Sequence, residues 1–391
     1  MTSSSYNITS TIKQSPPIDV SQPYDASTLR NKTILVTGAA NGLGAHMVRR
    51  WASHGAHITI GDIDDQAGES LVSELALLHP DSVFTYAHCD VTSWEQQGRL
   101  FEQAVRASPT SSIDIVVPNA GIIQTLESFQ FENPRPLPGG KLAKPSTRTV
   151  DINITGVIYT THLALYYFSK PPKPQNRNGN GNENGSEDES EGESKRPTHA
   201  PAPAPAPAPT SDKCLLLIGS IASIYPLAGQ THYTMSKHAI CGLFRSLRMT
   251  AFMQSSSNLR VNMLAPYFVE QSRMLSTVAD IAFLGGTAGG ATIPDVVDAA
   301  TRLVADESIA GRALAVGPAL KSAPEGGWQG VQAVAKHEGG GRGRAAWEIY
   351  AHDYDEVDAF TYRYIRLMNS VTQLRGLLGW FLDFWVKLLR R

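Results

Sequence analysis

The stretch KTILVTGAANGLG, residues 32–44, decides how this chain folds. Residues 32–37 (KTILVT) form a short apolar run, the pattern of a strand buried on both faces. Gly38 follows and permits a tight turn. Gly42 and Gly44 allow backbone to approach closely at the start of the next element. From residue 43 to 54 the period becomes helical, with Ala45, Val48 and Ala52 on one side. A strand, a glycine turn and a helix in that order open a βαβ unit.

The alternation continues outward. Strands are predicted at 57–61 (HITIG), 83–88, 113–117, 215–219, 260–265 and 312–316 (RALAV). Helices are predicted at 64–78, 94–106, 150–168, 232–253 and 294–306. Seven strands alternating with helices predict an α/β fold. It is a doubly wound parallel seven-stranded sheet of the Rossmann type, with helices on both faces. The pattern collapses over 171–212, which runs through Asn/Gly, Ser/Glu and Pro-Ala repeats. With almost no apolar content beyond alanine, it reads as a disordered low-complexity insertion. The expected organisation is a disordered N-terminal tail over 1–29 and an α/β domain over 30–330 carrying that insertion. A C-terminal helical extension with an amphipathic end follows over 331–391.

The chain has 391 residues, 42% hydrophobic and 18% charged, enough to bury a large core. Lys plus Arg is 34 against 36 for Asp plus Glu, so charge gives no case for nucleic acid. Cys89, Cys214 and Cys241 are scattered without a Cys-x-x-Cys pair. A disulfide framework or a metal site is therefore not expected, and a reducing, cytoplasmic setting is. The N-terminal residues lack the apolar run of a secretory signal. Asn7 and Asn153 match the glycosylation pattern by chance on that ground.

A dinucleotide site is legible at successive strand ends. Gly38, Asn41, Gly42, Leu43 and Gly44 would cradle a pyrophosphate at a helix N-terminus. Asp62 ends the second strand, 18 residues after Gly44, where an acid hydrogen-bonds the adenosine ribose. Its carboxylate would repel a 2′-phosphate, and the next residue, Ile63, offers no compensating charge. NAD is therefore favoured, with NADP as the alternative. Asp90 and Val91 would flank the adenine. Asn119, Ala120 and Gly121 put small residues where backbone passes near the ribose.

Tyr233 and Lys237 lie four residues apart on one helical face. An ammonium there can favour the ionised phenol. With Ser220 placed 13 residues before Tyr233, these motifs resemble the short-chain dehydrogenase/reductase family in its single-domain Thr-Gly-x-x-x-Gly-x-Gly form. The resemblance runs from about residue 31 to 316 and includes Asn153 and Arg260-Val-Asn262. It implies a catalytic tetrad of Asn153, Ser220, Tyr233 and Lys237, with Ser220 preferred over Ser223. In the implied mechanism Tyr233 removes the hydroxyl proton of a secondary alcohol, and Ser220 polarises its oxygen. Lys237 lowers the tyrosine pKa and holds the nicotinamide ribose, and Asn153 positions a water on a proton route. Run in reverse, the same groups reduce a ketone. Two positions depart from the family. Tyr267 follows Pro266 where glycine is usual, and Gln271 replaces a threonine that holds the carboxamide, leaving a backbone contact from Val269. The run at 266–269 is similar to that of fungal members that look like hydroxyprostaglandin dehydrogenases.

Segments 127–148 and 271–291 are expected to line the substrate cleft. Met274, Leu275, Ile281, Phe283 and Leu284 lie among paired glycines there, which suggests either a lid over a lipophilic substrate or a packed surface helix. No basic cluster that would clamp a phosphate or coenzyme A is apparent. Residues 346–366 read as a helix, and 374–391 as an amphipathic helix too short to span a bilayer. The latter suits docking on protein or lying at a membrane surface. A homo-oligomer is expected. The function predicted is NAD-dependent oxidation of a lipophilic secondary alcohol. The alternatives are an NADPH-dependent ketoreductase and a catalytically silent NAD-binding scaffold.

Overall fold

The structure, a computed structural model, describes residues 14–170, 212–250, 258–270, 290–321, 332–333 and 344–349. Seven parallel strands stand side by side in the order β3-β2-β1-β4-β5-β6-β7. They are β1 (Thr33–Thr37), β2 (His57–Asp62), β3 (Phe84–His88), β4 (Ile115–Pro118), β5 (Asp212–Ile218), β6 (Asn258–Pro266) and β7 (Ala313–Lys321). The order reverses between β1 and β4, which opens a crevice beyond the carboxyl ends of those strands.

The apolar runs are explained by burial on both faces. In β1, Ile34 and Val36 enter one core while Leu35 enters the other. In β5, Cys214, Leu216 and Ile218 alternate in the same way with Leu215 and Leu217. The first core is closed by the helices Gly42–Ala52, Asp65–Leu78 and Ile293–Ala305, through Trp51, Leu71 and Leu303. The second is closed by Trp94–Ala107, Val157–Phe168 and Thr231–Thr250, through Phe101, Phe168 and Phe244.

Three expectations are corrected. The seven parallel strands stand as expected, but among the described residues the sheet reaches nine, because β8 (Gln332–Ala333) and β9 (Arg344–Ile349) both pair antiparallel with β7. Residues 346–349 therefore belong to an edge strand and do not start a helix. Residues 14–29, expected as part of a disordered tail, are held against the fold. Arg302 donates to the Val20 and Gln22 carbonyls and lies over the Tyr24 ring, and the amide of Ile18 donates to Glu348. Glu348 also pairs with the buried Arg312, so this segment and β9 share one anchor. The bulk of the predicted insertion (171–211), of the predicted lid (271–289, with Gln271) and the amphipathic helix at 374–391 lie outside the described residues. Among the described residues, no helix is long and apolar enough to cross a membrane.

Arg260 and Asn262, part of the family-like run on β6, have a structural role. The Arg260 guanidinium forms a two-pronged pair with Asp212 at 2.8 and 2.9 Å. It also donates to the carbonyls of Leu303, Val304, Asp306 and Ile309, ending the helix Ile293–Ala305. Asn262 donates to two of the same carbonyls, Leu303 and Ile309. Only 1% of Arg260 is exposed, so its loss would strand the Asp212 carboxylate and take a donor from four carbonyls, of which Leu303 and Ile309 keep Asn262. Arg260→Leu is expected to destabilise the fold by about 3–5 kcal/mol, as removing one partner of a buried pair does. The midpoint of chemical denaturation measures it.

Candidate active site

The glycine turn after β1 is shaped by close approach. Gly38 has φ +65°, and a Cβ there would lie 2.5 Å from the Ala120 backbone. A Cβ on Gly44 would lie 2.6 Å from the Gly38 carbonyl and 2.7 Å from the Asn119 amide. Asn119 ties the turn down by donating to the Thr37 and Gly38 carbonyls at 3.1 and 2.6 Å. The helix Gly42–Ala52 begins at this turn, and its N-cap, Asn41, makes no side-chain cap; Asn41 donates to Asp64 instead. The first amides of the helix therefore face the crevice without a capping oxygen, the arrangement that receives a phosphate.

At the end of β2, the Asp62 carboxylate accepts from the amides of Ala40, Ile63 and Asp64 at 2.9, 2.7 and 3.1 Å. Those bonds fix it beside the glycine turn. At the end of β3, Asp90 caps its own turn through Thr92, and buried Gln97 holds the Val91 carbonyl at 2.6 Å.

Ser220 leaves the end of β5 and caps the short turn Ile221–Ser223, its hydroxyl accepting from the Ala222 amide. That leaves its proton directed outward, toward Pro266 at 3.5 Å and the Tyr233 hydroxyl. Tyr233 and Lys237 share one face of the helix Thr231–Thr250, with the Lys237 nitrogen 5.6 Å from the Tyr233 ring centre. Lys237 donates to the Ile218 carbonyl at 3.0 Å. Asn153 sits in a π turn, Asp151–Gly156, that interrupts the helix running into Val157–Phe168. Such turns re-aim side chains at functional sites. Its amide exchanges two hydrogen bonds with the Ile122 backbone, at 2.8 and 2.9 Å, and donates to Ser236.

The electrostatics differ from the sequence-based expectation. Burial pushes the Tyr233 phenol above its ordinary value, and the Ser220 hydroxyl opposes that rise. Burial also lowers the Lys237 ammonium to about 8. Burial, rather than the lysine charge, dominates Tyr233, which is therefore a protonated phenol at neutral pH.

A single cavity of about 1060 Å³ receives nearly all of these groups. Gly38, Asn41, Gly42, Leu43, Gly44, Asp62 and Ile63 line it at the glycine turn. Asp90 and Val91 line it beyond the edge strand β3, Asn119, Ala120 and Gly121 beyond the central strand β4, and Ser220, Tyr233, Lys237 and Val269 the far side. Asn153 does not line it; it lies behind, 1% exposed, bracing Ile122, which does. β2 and β5 are separated by β1 and β4, so Asp62 and Ser220 stand roughly 14 Å apart across the sheet at ordinary strand spacing. That suits an extended dinucleotide with its adenosine end at Asp62 and its reactive end at Tyr233. The uncapped amides, the glycine cradle and the ribose-facing acid fit a nicotinamide dinucleotide. Among the described residues, no cluster of metal-ligating side chains occurs.

Residues 32–179 and 214–281 match the family model described as short chain dehydrogenase. The chain is a member of the short-chain dehydrogenase family. It is 31% identical over 322 residues to a 5'-hydroxyaverantin dehydrogenase of Dothistroma septosporum, covering 79% of this chain and 92% of that protein. A 5'-hydroxyaverantin dehydrogenase of Emericella nidulans is 33% identical, over 81% of this chain and 94% of its own length. The fold is shared with a 3-ketoacyl-(acyl-carrier-protein) reductase from Brucella melitensis solved with NADH, at TM-score 0.54 and 22% identity. The match covers 74% of this chain and 98% of that one. This short-chain dehydrogenase is thus an oxidoreductase of the alcohol–carbonyl type that uses a nicotinamide cofactor.

Several residues of the site escape a sequence reading. Lys144 and Arg148 both line the cavity, from the segment expected to flank the substrate cleft. Buried Glu127 accepts from the Thr149 amide and hydroxyl and so fixes the end of that rim segment. Ser236 donates to the Tyr233 carbonyl while accepting from Asn153. Only its place beside Lys237 could have drawn attention to it.

Proposed function

We propose that this short-chain dehydrogenase oxidises a lipophilic secondary alcohol with NAD. The observation that carries the proposal is one cavity with Tyr233, Lys237 and Ser220 on one side and the anchored Asp62 carboxylate on the other. A nicotinamide bound there supplies the two-electron acceptor at the carbinol carbon. Asp62 accepts hydrogen bonds from ribose hydroxyls with the oxygen capacity its backbone partners leave free, and its charge disfavours a 2′-phosphate. Ile63 beside it is largely exposed and uncharged, so no cation offsets that effect.

Ser220 donates a hydrogen bond to the substrate oxygen in place of its long 3.5 Å contact with the Pro266 carbonyl. Tyr233 withdraws the hydroxyl proton, assisted by the Lys237 charge, and Asn153 keeps the Ile122 wall in register with the helix that bears Tyr233. Ile123, Leu227, Tyr267 and Phe268 give the substrate side its apolar surface. The edge-to-face pair of Tyr267 and Phe268, 5.0 Å between ring centres, suits an aromatic substrate. Similarity to the two 5'-hydroxyaverantin dehydrogenases supports oxidation of a hydroxyl group. A panel of secondary alcohols headed by 5'-hydroxyaverantin, assayed with NAD and with NADP, tests the proposal. NAD-linked oxidation is expected; preference for NADP, or turnover of short aliphatic alcohols only, would count against it.

A further inference from the structure

Two buried serine hydroxyls link the four tetrad positions in pairs. Ser236 joins Asn153 to the backbone of Tyr233. Ser223 does the corresponding work for the other pair: its hydroxyl accepts from the Ser220 amide at 3.1 Å and donates to the Lys237 carbonyl at 2.8 Å. One hydroxyl has one proton, so the bond to Lys237 uses it, and the Ser220 amide takes a lone pair. Ser223 is 1% exposed, and no water can replace either bond without entering the core. It lies behind the cavity wall, bonded to the lining residues Ser220 and Lys237 without itself lining the cavity.

Its geometric effect is specific. β5 ends at Ile218, whose carbonyl holds the Lys237 ammonium, and the turn Ile221–Ser223 begins three residues later. The helix Thr231–Thr250 meets that turn closely, and Ser223 is the side chain that bonds both. Ser220 is fixed twice, by its own hydroxyl on Ala222 and by its amide on Ser223. Ser223 therefore sets the separation between the proton-donating Ser220 hydroxyl and the Tyr233–Lys237 face.

We propose that Ser223 is a positioning residue that holds Ser220 in register with Tyr233 and Lys237 and thereby tunes the ionisation of Tyr233. This rests on the assignment of Tyr233 as the acid–base group. The test compares the full-length chain with Ser223→Ala and Ser223→Cys, each also carrying Tyr233→Phe as a blank. The difference in phenolate absorbance between each enzyme and its blank reports the Tyr233 titration alone.

In Ser223→Ala the Tyr233 midpoint is expected to rise by about one pH unit, because a misplaced Ser220 no longer opposes the effect of burial. Turnover of an accepted alcohol is expected to fall about 10–100-fold, with KM for NAD within about twofold, as a small misplacement of reacting groups does. Ser223→Cys, which keeps a small polar group of similar shape, is expected to fall between the two, and it serves if the alanine variant does not fold. An unchanged Tyr233 midpoint in both variants would overturn the proposal, as would a loss of turnover that tracks loss of NAD affinity and thermal stability alone. If no alcohol is oxidised by the unaltered enzyme, the dehydrogenase assignment fails, and the titration still decides the role of Ser223.

Discussion

Tyr233→Phe is expected to lower turnover by at least about 10³-fold while leaving NAD affinity within about twofold, the range a positioned acid–base group supplies. The variant removes one oxygen from a side chain already buried to 7% exposure, so the fold has no new cavity to absorb. Ser220 and Lys237 keep their own anchors, on Ala222 and Pro266 and on the Ile218 carbonyl. What disappears is the group that takes the proton. The pH profile gives a second signature. Burial holds the Tyr233 phenol above its usual value, so alcohol oxidation in the parent enzyme should accelerate as pH rises and the phenolate becomes populated. Ketone reduction needs the phenol and should accelerate as pH falls. Lys237, lowered to about 8, loses its charge at lower pH than Tyr233 ionises and should flatten the oxidation profile above that point. The residual activity of Tyr233→Phe should show neither slope. Steady-state kinetics in both directions and cofactor titration by nicotinamide fluorescence measure these effects.

The second large effect concerns the cofactor. The double variant Asp62→Ala with Ile63→Arg is expected to move the ratio of kcat/KM for NAD over NADP by at least about 100-fold toward NADP. A charge-assisted hydrogen bond is worth roughly 1.5–3 kcal/mol, and about 2.7 kcal/mol corresponds to that factor. The two changes act together. Removing the carboxylate relieves repulsion of a 2′-phosphate and deletes an acceptor for the ribose hydroxyls. The arginine adds a planar fork that matches phosphate oxygens. Ile63 is 61% exposed, so the longer side chain meets no packed neighbour. Asp62 also receives the amides of Ala40, Ile63 and Asp64, and their loss will weaken binding of both cofactors somewhat. The ratio, measured from initial rates with each cofactor, is insensitive to that common loss.

Most of the fold is legible in the sequence because each parallel strand is buried on both sides. Ile34, Leu35 and Val36 must all be apolar, whichever core they enter, and the same holds from Cys214 to Ile218. The cofactor cleft is legible because close backbone approach admits only small residues, as at Gly38 against Ala120. The remainder depends on long-range partners that leave no local pattern. The N-terminal segment looks like a polar tail, yet it is held through backbone carbonyls that meet Arg302 and through Ile18 on Glu348. Residues 344–349 contain Trp347 and Glu348 in a run that suits a helix or a strand, and pairing with β7 decides it. Ser223 is a small polar residue in a turn, and only the meeting of that turn with the helix Thr231–Thr250 reveals its two partners. The balance between burial and the Lys237 charge at Tyr233 depends on packing for a similar reason. Spacing of four residues gives proximity, but the depth of burial sets the sign of the shift.

The central claim is that one cavity transfers hydride from a secondary alcohol to NAD with Tyr233 as the proton acceptor. Its most direct test uses 5'-hydroxyaverantin carrying deuterium at the carbinol carbon, incubated with the purified full-length enzyme and NAD. The account predicts reduced nicotinamide bearing the deuterium, formed in equal amount to the ketone, with a slower rate than the unlabelled alcohol gives if hydride transfer limits turnover. Absence of deuterated reduced nicotinamide from this and every other labelled secondary alcohol tried, by a protein that binds NAD, would contradict it.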